Sequence, residues 1–264
     1  MADNTKLNGN KVQNKNVSQE SDNEFLSYKI TQETMDKLYA YIPYDEMVKI
    51  VGVKPIITEE NEKDKVISCK YNISGEEFEK NNCTLDLTFR NNVLDDANTG
   101  YMNFKYSDDT KFVKAEDYCN LKIGDSLASI RKTMDNSMRF NKIFWDELNI
   151  NPKEYQAIIE NNIRVILHFS NNMLDSKKIV DEINKDTLSC FKINSNLEDL
   201  SKIHSDMKVE DIKKILGSEG YLIESSSYSD DVTYLWKISD TVGLEVSYNG
   251  NKVRLVGEEI KELE

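Results

Sequence analysis

Apolar residues recur at spacings of three and four in three separate stretches of the chain, which is the pattern of one helix face. The stretches align without gaps: IPYDEMVKIVG (42–52), DSLASIRKTMD (125–135) and MKVEDIKKILG (207–217). Gly52 and Gly217 stand where glycine commonly ends a helix. The pattern predicts helices near 43–51, 125–134 and 207–216, each after a shorter helix, with Thr31 and Asn196 as N-caps.

Strict alternation of apolar and polar residues follows each predicted helix pair and indicates strands. The segments CTLDLTFRNNVLD (83–95), IRVILHFSNNMLD (163–175) and GLEVSYNGNKV (243–253) end in Asn- or Gly-containing turns. An upstream strand alternates in the same way and places Tyr71 and Trp236 at equivalent positions. The predicted core residues of the downstream strands are Leu85, Leu87, Phe89, Val165, Leu167, Phe169, Leu244, Val246 and Tyr248.

These patterns predict an α+β fold of three tandem units. Each unit has two helices followed by an antiparallel β-sheet of three to four strands, with the helices on one sheet face. The predicted boundaries are 26–108, 109–190 and 191–264, after a disordered tail at 1–25 that is poor in large apolar residues. In the middle unit, Asn151, Pro152 and Glu154 resemble a helix start, so an additional helix is expected in DELNINPKEYQAIIENN (146–162).

The chemistry of the chain gives no catalytic constellation. Of its 264 residues, two are histidines, and neither His168 nor His204 has a zinc-type partner. The four cysteines (Cys69, Cys83, Cys119 and Cys190) lack zinc-ligand spacing. Cys69 and Cys83 fall on core positions as buried thiols or, alternatively, as a cross-strand disulfide. The pairs Asp108/Asp109 and Asp230/Asp231 are expected to be solvated turn acids. We predict a protein that is not an enzyme and needs no cofactor or metal.

The net charge of -13 argues against nucleic acid and anionic lipid as partners. No apolar stretch approaches the length of a membrane span. The N-terminal segment fits two interpretations. It is either a disordered extension of a cytoplasmic protein or the tether of a secreted or lipid-anchored protein whose export signal has been removed.

The segments IPYDEMVKIVG and MKVEDIKKILG, with TYLWKI (233–238), resemble the β-lactamase-inhibitor-protein-like fold. This fold also includes small outer-membrane-assembly lipoproteins of the SmpA/OmlA type. The resemblance implies an exported protein that binds another protein, or a cell-envelope component, through a concave sheet. The inhibitors have two units where three are predicted here, and none of their target-contacting residues can be assigned in this chain.

Strand parity predicts which residues lie on the open sheet face, opposite the helices. Antiparallel sheets often leave one face in water, so an ordinary solvated face is the alternative to a binding surface. Ile166 and Leu235 are large apolar residues on this face, and Arg164 and His168 flank Ile166, a mixture common at interfaces. The predicted binding residues are Lys70, Asp86, Thr88, Arg164, Ile166, His168, Leu235, Lys237 and Glu245.

The sequence thus predicts an extracytoplasmic protein-binding scaffold, secreted or held at the cell surface as a lipoprotein. The alternative is a cytoplasmic interaction or regulatory module. The sequence does not identify the partner or the oligomeric state.

Overall fold

One antiparallel sheet of twelve strands runs through the described part of the chain, and each strand pairs with its neighbours in the sequence. The computed structural model describes residues 30–73, 83–99, 112–134, 137–143, 151–181, 183–204, 207–228, 231–249 and 252–256. The predicted tail at 1–25 lies outside these residues. So do Asp108, Asp109 and Asp230.

The strands fall into three groups of four, and short helices precede each group. The strands are β1 Ile56–Asn61, β2 Val66–Ile73, β3 Cys83–Arg90, β4 Val93–Asn98, β5 Met138–Ile143, β6 Lys153–Ile159, β7 Ile163–Ser170, β8 Met173–Ile179, β9 Tyr221–Ser226, β10 Asp231–Lys237, β11 Gly243–Asn249 and β12 Lys252–Val256. The helices are α1 Gln32–Asp36, α2 Tyr44–Val51, α3 Ala115–Cys119, α4 Leu127–Met134, α5 Lys185–Ser189 and α6 Val209–Leu216, with 3₁₀ turns at Glu160–Asn162 and Leu197–Lys202.

The predicted positions of the three longer helices are confirmed. Helices α2 and α6 end at Gly52 and Gly217, whose φ angles of 86° and 70° are left-handed, a conformation that glycine adopts without steric cost. Thr31 caps α1 by accepting a hydrogen bond from the Thr34 amide at 3.2 Å. The Asn196 side chain caps the 3₁₀ turn that begins at Leu197.

The predicted core faces of the strands are also confirmed. Each core residue predicted on β3, β7 and β11 is at most 6% exposed. Tyr71 and Trp236 are fully buried and each reaches a backbone carbonyl, of Val53 at 2.8 Å and of Ser218 at 3.2 Å. Gly220 lies against the indole, since a Cβ there would stand 2.6 Å from a Trp236 ring carbon.

The predicted fold class is wrong, because the strand groups do not form separate sheets. Strand β4 pairs with β5 through Ala97↔Ile143 and Asn98↔Lys142. Strand β8 pairs with β9 through Ser176↔Ser226, Lys177↔Ser225 and Lys178↔Glu224. We call these pairings the first and second junctions. Alternation reveals the faces of a strand but not whether its outer edge is paired, so the sequence did not show that the sheet is continuous.

A β-bulge interrupts the outer strands of every group, while the central pairs β2–β3, β6–β7 and β10–β11 are regular. The extra residues are Thr58, Asp95, Asn141, Asp175, Ile223 and Arg254, in β1, β4, β5, β8, β9 and β12. Bulges increase the local right-handed twist of a sheet. The bulges in β4, β5, β8 and β9 therefore favour additional twist in the strands that meet at the two junctions.

The helix predicted within 146–162 is also wrong, because residues Lys153–Ile159 form strand β6. Lys153, Tyr155, Ala157 and Ile159 are all buried on one face, which is the period of a strand. Seven residue pairs with β7 fix this conformation, so tertiary pairing overrides a local helix-start signal.

The prediction that all helices lie on one sheet face fails at β10. Ile212 and Leu216 of α6 belong to the same core cluster as Trp236. Leu235 points the other way, and a Cβ at Gly243, beside it, would meet side-chain atoms of both Leu188 and Leu235. Helix α5 therefore covers the face opposite α6, and β10 is buried on both sides.

A buried lysine supports the first junction. The Lys153 ammonium donates to the carbonyl of Asp36 in the last turn of α1, and the Tyr155 hydroxyl donates to the Asp36 carboxylate at 2.6 Å. Arg131 of α4 binds the same carboxylate oxygen at 2.7 Å and lies over the Tyr155 ring. This set ties the first helix of the chain to the second strand group.

Lys177 does the same at the second junction. It is 1% exposed and donates to the Tyr118 and Cys119 carbonyls, at 3.1 and 2.8 Å, at the end of α3. Helix C-termini carry partial negative charge, so an ammonium is stabilised there. The Tyr118 hydroxyl then donates to the Ile223 carbonyl of β9 at 2.9 Å, so α3 bridges β8 and β9.

Replacement of Trp236 tests the core. Because the indole is fully buried and fills the space beside Gly220, Trp236→Ala should lower the free energy of unfolding by roughly 3–5 kcal/mol. Tyr228→Ala, at an aromatic residue that is 50% exposed, is the control and should change it by less than about 1 kcal/mol. Denaturant titration measures both, and a loss below about 1 kcal/mol in Trp236→Ala would show that this face is not core.

The burial of Lys177 at the C-terminal end of α3 predicts that the stability of the fold depends on pH. Burial lowers the pKa of Lys177 to about 8, below its usual value. Between pH 8 and about 10.4 the unfolded chain binds a proton that the folded chain does not. The free energy of unfolding therefore gains a term that rises with pH, by up to about 1.4 kcal/mol per pH unit.

The variant Lys177→Met lacks this term. The difference in unfolding free energy, wild type minus variant, should therefore rise from pH 8 to pH 10. Parallel curves across that range would contradict the buried, partly deprotonated lysine.

Candidate functional site

A continuous row of polar side chains crosses the sheet face opposite Tyr71, Tyr155 and Phe169. Residues directly opposite each other on neighbouring strands share a face. Following these pairs from β2 to β9 gives eight residues, which we call the polar row: Lys70, Asp86, Asn98, Lys142, Glu154, His168, Ser176 and Ser226. Seven steps between strands of about 4.8 Å make the row roughly 34 Å long.

Charges of opposite sign alternate along the polar row. Lys70 is opposite Asp86, and Lys142 is opposite Glu154. Opposed charges of this kind stabilise strand pairing, whereas like charges destabilise it. The row is therefore close to neutral on a chain whose net charge is -13.

Glu154 is a buried carboxylate with several partners in the polar row. It is 5% exposed, and its carboxylate receives hydrogen bonds from the Asn141 amide and, at 2.8 Å, from His168 Nε2. The Lys142 ammonium lies 3.3 Å from the same oxygen that binds His168. Burial raises the pKa of Glu154, but these three donors outweigh it and hold the pKa below its usual value. Glu154 is therefore an ionised, fully partnered carboxylate.

The bulge at Asn141 makes this arrangement possible. It places an extra residue between Phe140, which is opposite Tyr155 in the core, and Lys142, which is opposite Glu154. Asn141 can then donate to Glu154 while its backbone carbonyl accepts the Thr99 amide at 2.9 Å. The same residue thus serves the polar row and the first junction.

A second row runs beside the first on the same face. Its members in order across β5 to β11 are Arg139, Gln156, Ile166, Lys178, Glu224, Thr233 and Ser247. Lys178 lies 3.8 Å from Glu224 across the second junction. The Thr233 hydroxyl contacts that of Ser247 at 3.0 Å. Ile166 is the one large apolar residue of this row, half-buried between Gln156 and Lys178.

Several of the predicted binding residues come together on this face. Lys70, Asp86 and His168 lie in the polar row, Ile166 lies in the second row, and Thr88 is next to Asp86 on the same face of β3, opposite Ser68. No observation tests their role in binding, which stays a prediction.

Arg164 is exposed but held in place. Its guanidinium makes two bonds, of 2.8 and 2.6 Å, to the same Asp181 carboxylate oxygen, and its backbone amide donates to the other oxygen. These bonds raise the pKa of Arg164. Arg164 therefore holds the start of β7 against Asp181, which follows β8.

The prediction that Leu235 and Lys237 lie on an open face is wrong. Leu235 is fully buried beside Leu188, and Lys237 is 4% exposed, with its ammonium 3.0 Å from Asp240. The cause is α5, which covers this end of β10 as described above. Glu245, opposite Leu235, stays exposed.

Glu154 and Gln156, both in β6, are members of the two rows that the sequence prediction missed. Part of the signal was present, because Glu154 and Gln156 alternate with the apolar Tyr155, Ala157 and Ile159. The helix-start motif at 151–154 concealed it.

The described cysteines are buried or half-buried thiols. Burial raises the pKa of Cys69 and Cys119 to about 12 and that of Cys190 to about 11, so all three stay protonated at neutral pH and are poor nucleophiles. A Cys69–Cys83 disulfide is excluded by register, because Cys69 is opposite Leu87 and Cys83 is opposite Ile73. The two backbones are then too far apart for a disulfide.

Within the described residues, no group of three or more His, Cys, Asp or Glu side chains could hold a metal ion. Searched over the same residues, no helix is both long and apolar enough to cross a membrane.

Comparison with known proteins gives a weak similarity to a solved structure. No protein-family model matches the chain, and no curated protein is similar to it. The chain is similar to a candidate β-lactamase inhibitor protein from Streptococcus mutans, with 15% sequence identity and a TM-score of 0.35. The match covers 59% of this chain and 90% of that chain. The matched structure is of the inhibitor type that the sequence resemblance named. At this identity and TM-score, neither fold nor function can be assigned to the chain from the match. The match does not include the outer-membrane-assembly lipoproteins.

Replacement of Glu154 tests the centre of the polar row. Glu154→Gln exchanges a carboxylate for an amide that accepts poorly from three donors, so it should cost roughly 1–3 kcal/mol of unfolding free energy at pH 7. Because the folded-state pKa of Glu154 is below its usual value, this contribution is present above pH 4.5 and is lost as the pH falls through the folded-state pKa. The gap between wild type and variant, followed by denaturant titration, should therefore narrow in acid. A gap that is unchanged at pH 3 would contradict the ionised network.

Proposed function

We propose that this chain is a non-enzymatic scaffold that binds another protein through the face carrying the polar row. The observation that carries the proposal is the continuity of that row over eight strands. Its length of roughly 34 Å suits an interface of standard size, which takes about 800 Å² from each partner. A small ligand would contact only a fraction of such a face.

The face is rigid before any partner arrives. Its backbone is fixed by strand pairing on both sides, and Glu154 is held by three side chains from β5 and β7. A surface that is already ordered loses little conformational entropy on binding. Alternating charges also favour one partner orientation over others, because a shifted register brings like charges together.

The protonation of the described thiols supports a role without covalent catalysis. Cys69, Cys119 and Cys190 are the cysteines whose side chains the structure describes, and burial raises the pKa of each. They act as core or half-buried packing residues.

We also propose that the scaffold works outside the cytoplasm, as a secreted or cell-surface lipoprotein, which the sequence resemblance implies. The alternative is a cytoplasmic regulatory module with the same binding face. Protease treatment of intact source cells separates the two, because only an extracytoplasmic protein is degraded while a cytoplasmic marker survives.

The binding face is tested with two substitutions and a matched control, after the partner has been identified by co-purification with the native protein. Ile166→Asp places a charge at the apolar centre of the second row, and Lys178→Glu reverses an exposed charge beside it. Lys214→Glu is the control, because it reverses an exposed lysine on helix α6. Arg164→Glu is a poorer probe, since it would break two short guanidinium bonds to Asp181, whereas Lys178 and Lys214 each make only a longer contact, of 3.8 and 3.6 Å, with an exposed carboxylate.

We expect Ile166→Asp and Lys178→Glu each to weaken partner binding by about tenfold or more, as loss of an interface anchor does. Lys214→Glu should bind normally, and all three variants should melt within a few degrees of the wild type. Normal binding by both face variants, with loss of binding in Lys214→Glu, would place the interface on the helix side.

A further inference from the structure

Within the described residues the sheet ends at β1 and β12, and no further strand pairs with the outer edge of either. Residues Ile56 to Glu60 of β1 are all exposed. An unpaired strand edge presents free backbone N–H and C=O groups and is a template for a further strand. The two junctions inside the sheet show how this chain pairs such edges.

Both junctions use the same register, counted from the bulges. At the first junction Ala97 pairs with Ile143, and each of them is the second residue after the bulge in its own strand. At the second junction the same holds for Lys177 and Ser225. The bulges therefore do not block pairing. They lie next to the paired segments and set the register.

Strands β12 and β1 carry bulges of the same kind, at Arg254 and Thr58. The shared register places Val256 opposite Glu60 and Leu255 opposite Asn61. The direction is also right. Successive strands alternate in direction, so the first and twelfth run antiparallel.

The charges agree with this register. At the second junction the Ser227 amide donates to the carbonyl of the bulge residue Asp175 at 2.8 Å, four residues beyond the bulge at Ile223. In β1 the bulge residue is Thr58, and the residue four positions beyond it is Glu62. The shared register therefore places Glu62 opposite Arg254, the bulge residue of β12. Glu60 and Glu62 are both exposed at this end of β1, so their carboxylates are accessible to a cationic side chain. Lys252 adds a second positive charge to β12.

We infer that β12 of one copy pairs with β1 of a second copy, and that Arg254 and Glu62 select this pairing. The contact joins two different edges, so it is head-to-tail and does not close on itself. It would extend the sheet from copy to copy. The inference is independent of the proposed binding function, because it concerns the strand edges and not the polar row.

Charge exchange between the two edges tests the inference. Sedimentation of the full chain in moderate salt, from about 10 to 200 µM, should show a mass that grows with concentration beyond a dimer. Glu62→Lys and Arg254→Glu should each weaken self-association by about tenfold or more, because each puts like charges opposite one another. Mixing the two variants restores opposite charges at every contact and should restore association.

Cysteine pairs test the register without relying on charge. A mixture of Glu60→Cys and Val256→Cys chains should form a covalent dimer on mild oxidation, whereas Glu60→Cys with Val253→Cys should not. The inference is overturned by a wild type that stays monomeric throughout this range, by association that neither charge variant changes, or by a variant mixture that stays monomeric. Equal cross-linking of the two cysteine mixtures would equally overturn the register.

Discussion

The continuity of the sheet depends on two narrow junctions, of two and three residue pairs, between strand groups that are otherwise joined by helices. So few pairs contribute little by themselves, and the structure reinforces each with a buried lysine. Lys153 binds the end of α1, and Lys177 binds the end of α3. A buried ammonium is costly unless it is hydrogen-bonded, so each lysine holds its helix end in place against the sheet. If either helix moved away, the charge would be left without acceptors.

The rest of the molecule follows from this constraint. Because the strand groups form one sheet, the polar residues of one group continue those of the next: the polar row crosses both junctions, and the second row crosses the second junction. The bulge residue Asn141 has two roles. It sets the spacing of β5 at the first junction, and its side-chain amide donates a hydrogen bond to Glu154. A face that spans eight strands is a property of the joined sheet and not of any single group. The proposed binding function therefore depends on the junctions, even though the buried Lys153 and Lys177 lie on the opposite face of the sheet.

Sequence reasoning succeeded where one local period determines the outcome. The spacing of three and four located α2, α4 and α6, and alternation assigned the core residues of β3, β7 and β11. It failed where distant residues decide. The Asn151–Glu154 motif looks like a helix start, but pairing with β7 makes the segment a strand. Leu235 has the parity of an open-face residue and is buried because Leu188 packs on that side. The open face was predicted, but its buried carboxylate, Glu154, was missed because its segment was predicted to be a helix.

Hydrogen exchange at two backbone amides tests the single-sheet account most directly. The Thr99 amide donates to the Asn141 carbonyl across the first junction, and the Ser227 amide donates to the Asp175 carbonyl across the second. In native-state exchange followed by NMR, the account predicts that both amides are protected to a degree comparable with that of amides in the neighbouring strands. Exchange of Thr99 and Ser227 at the rate of unprotected amides, while the central strands β2–β3 and β6–β7 stay protected, would show that the groups are separate sheets and would contradict the account.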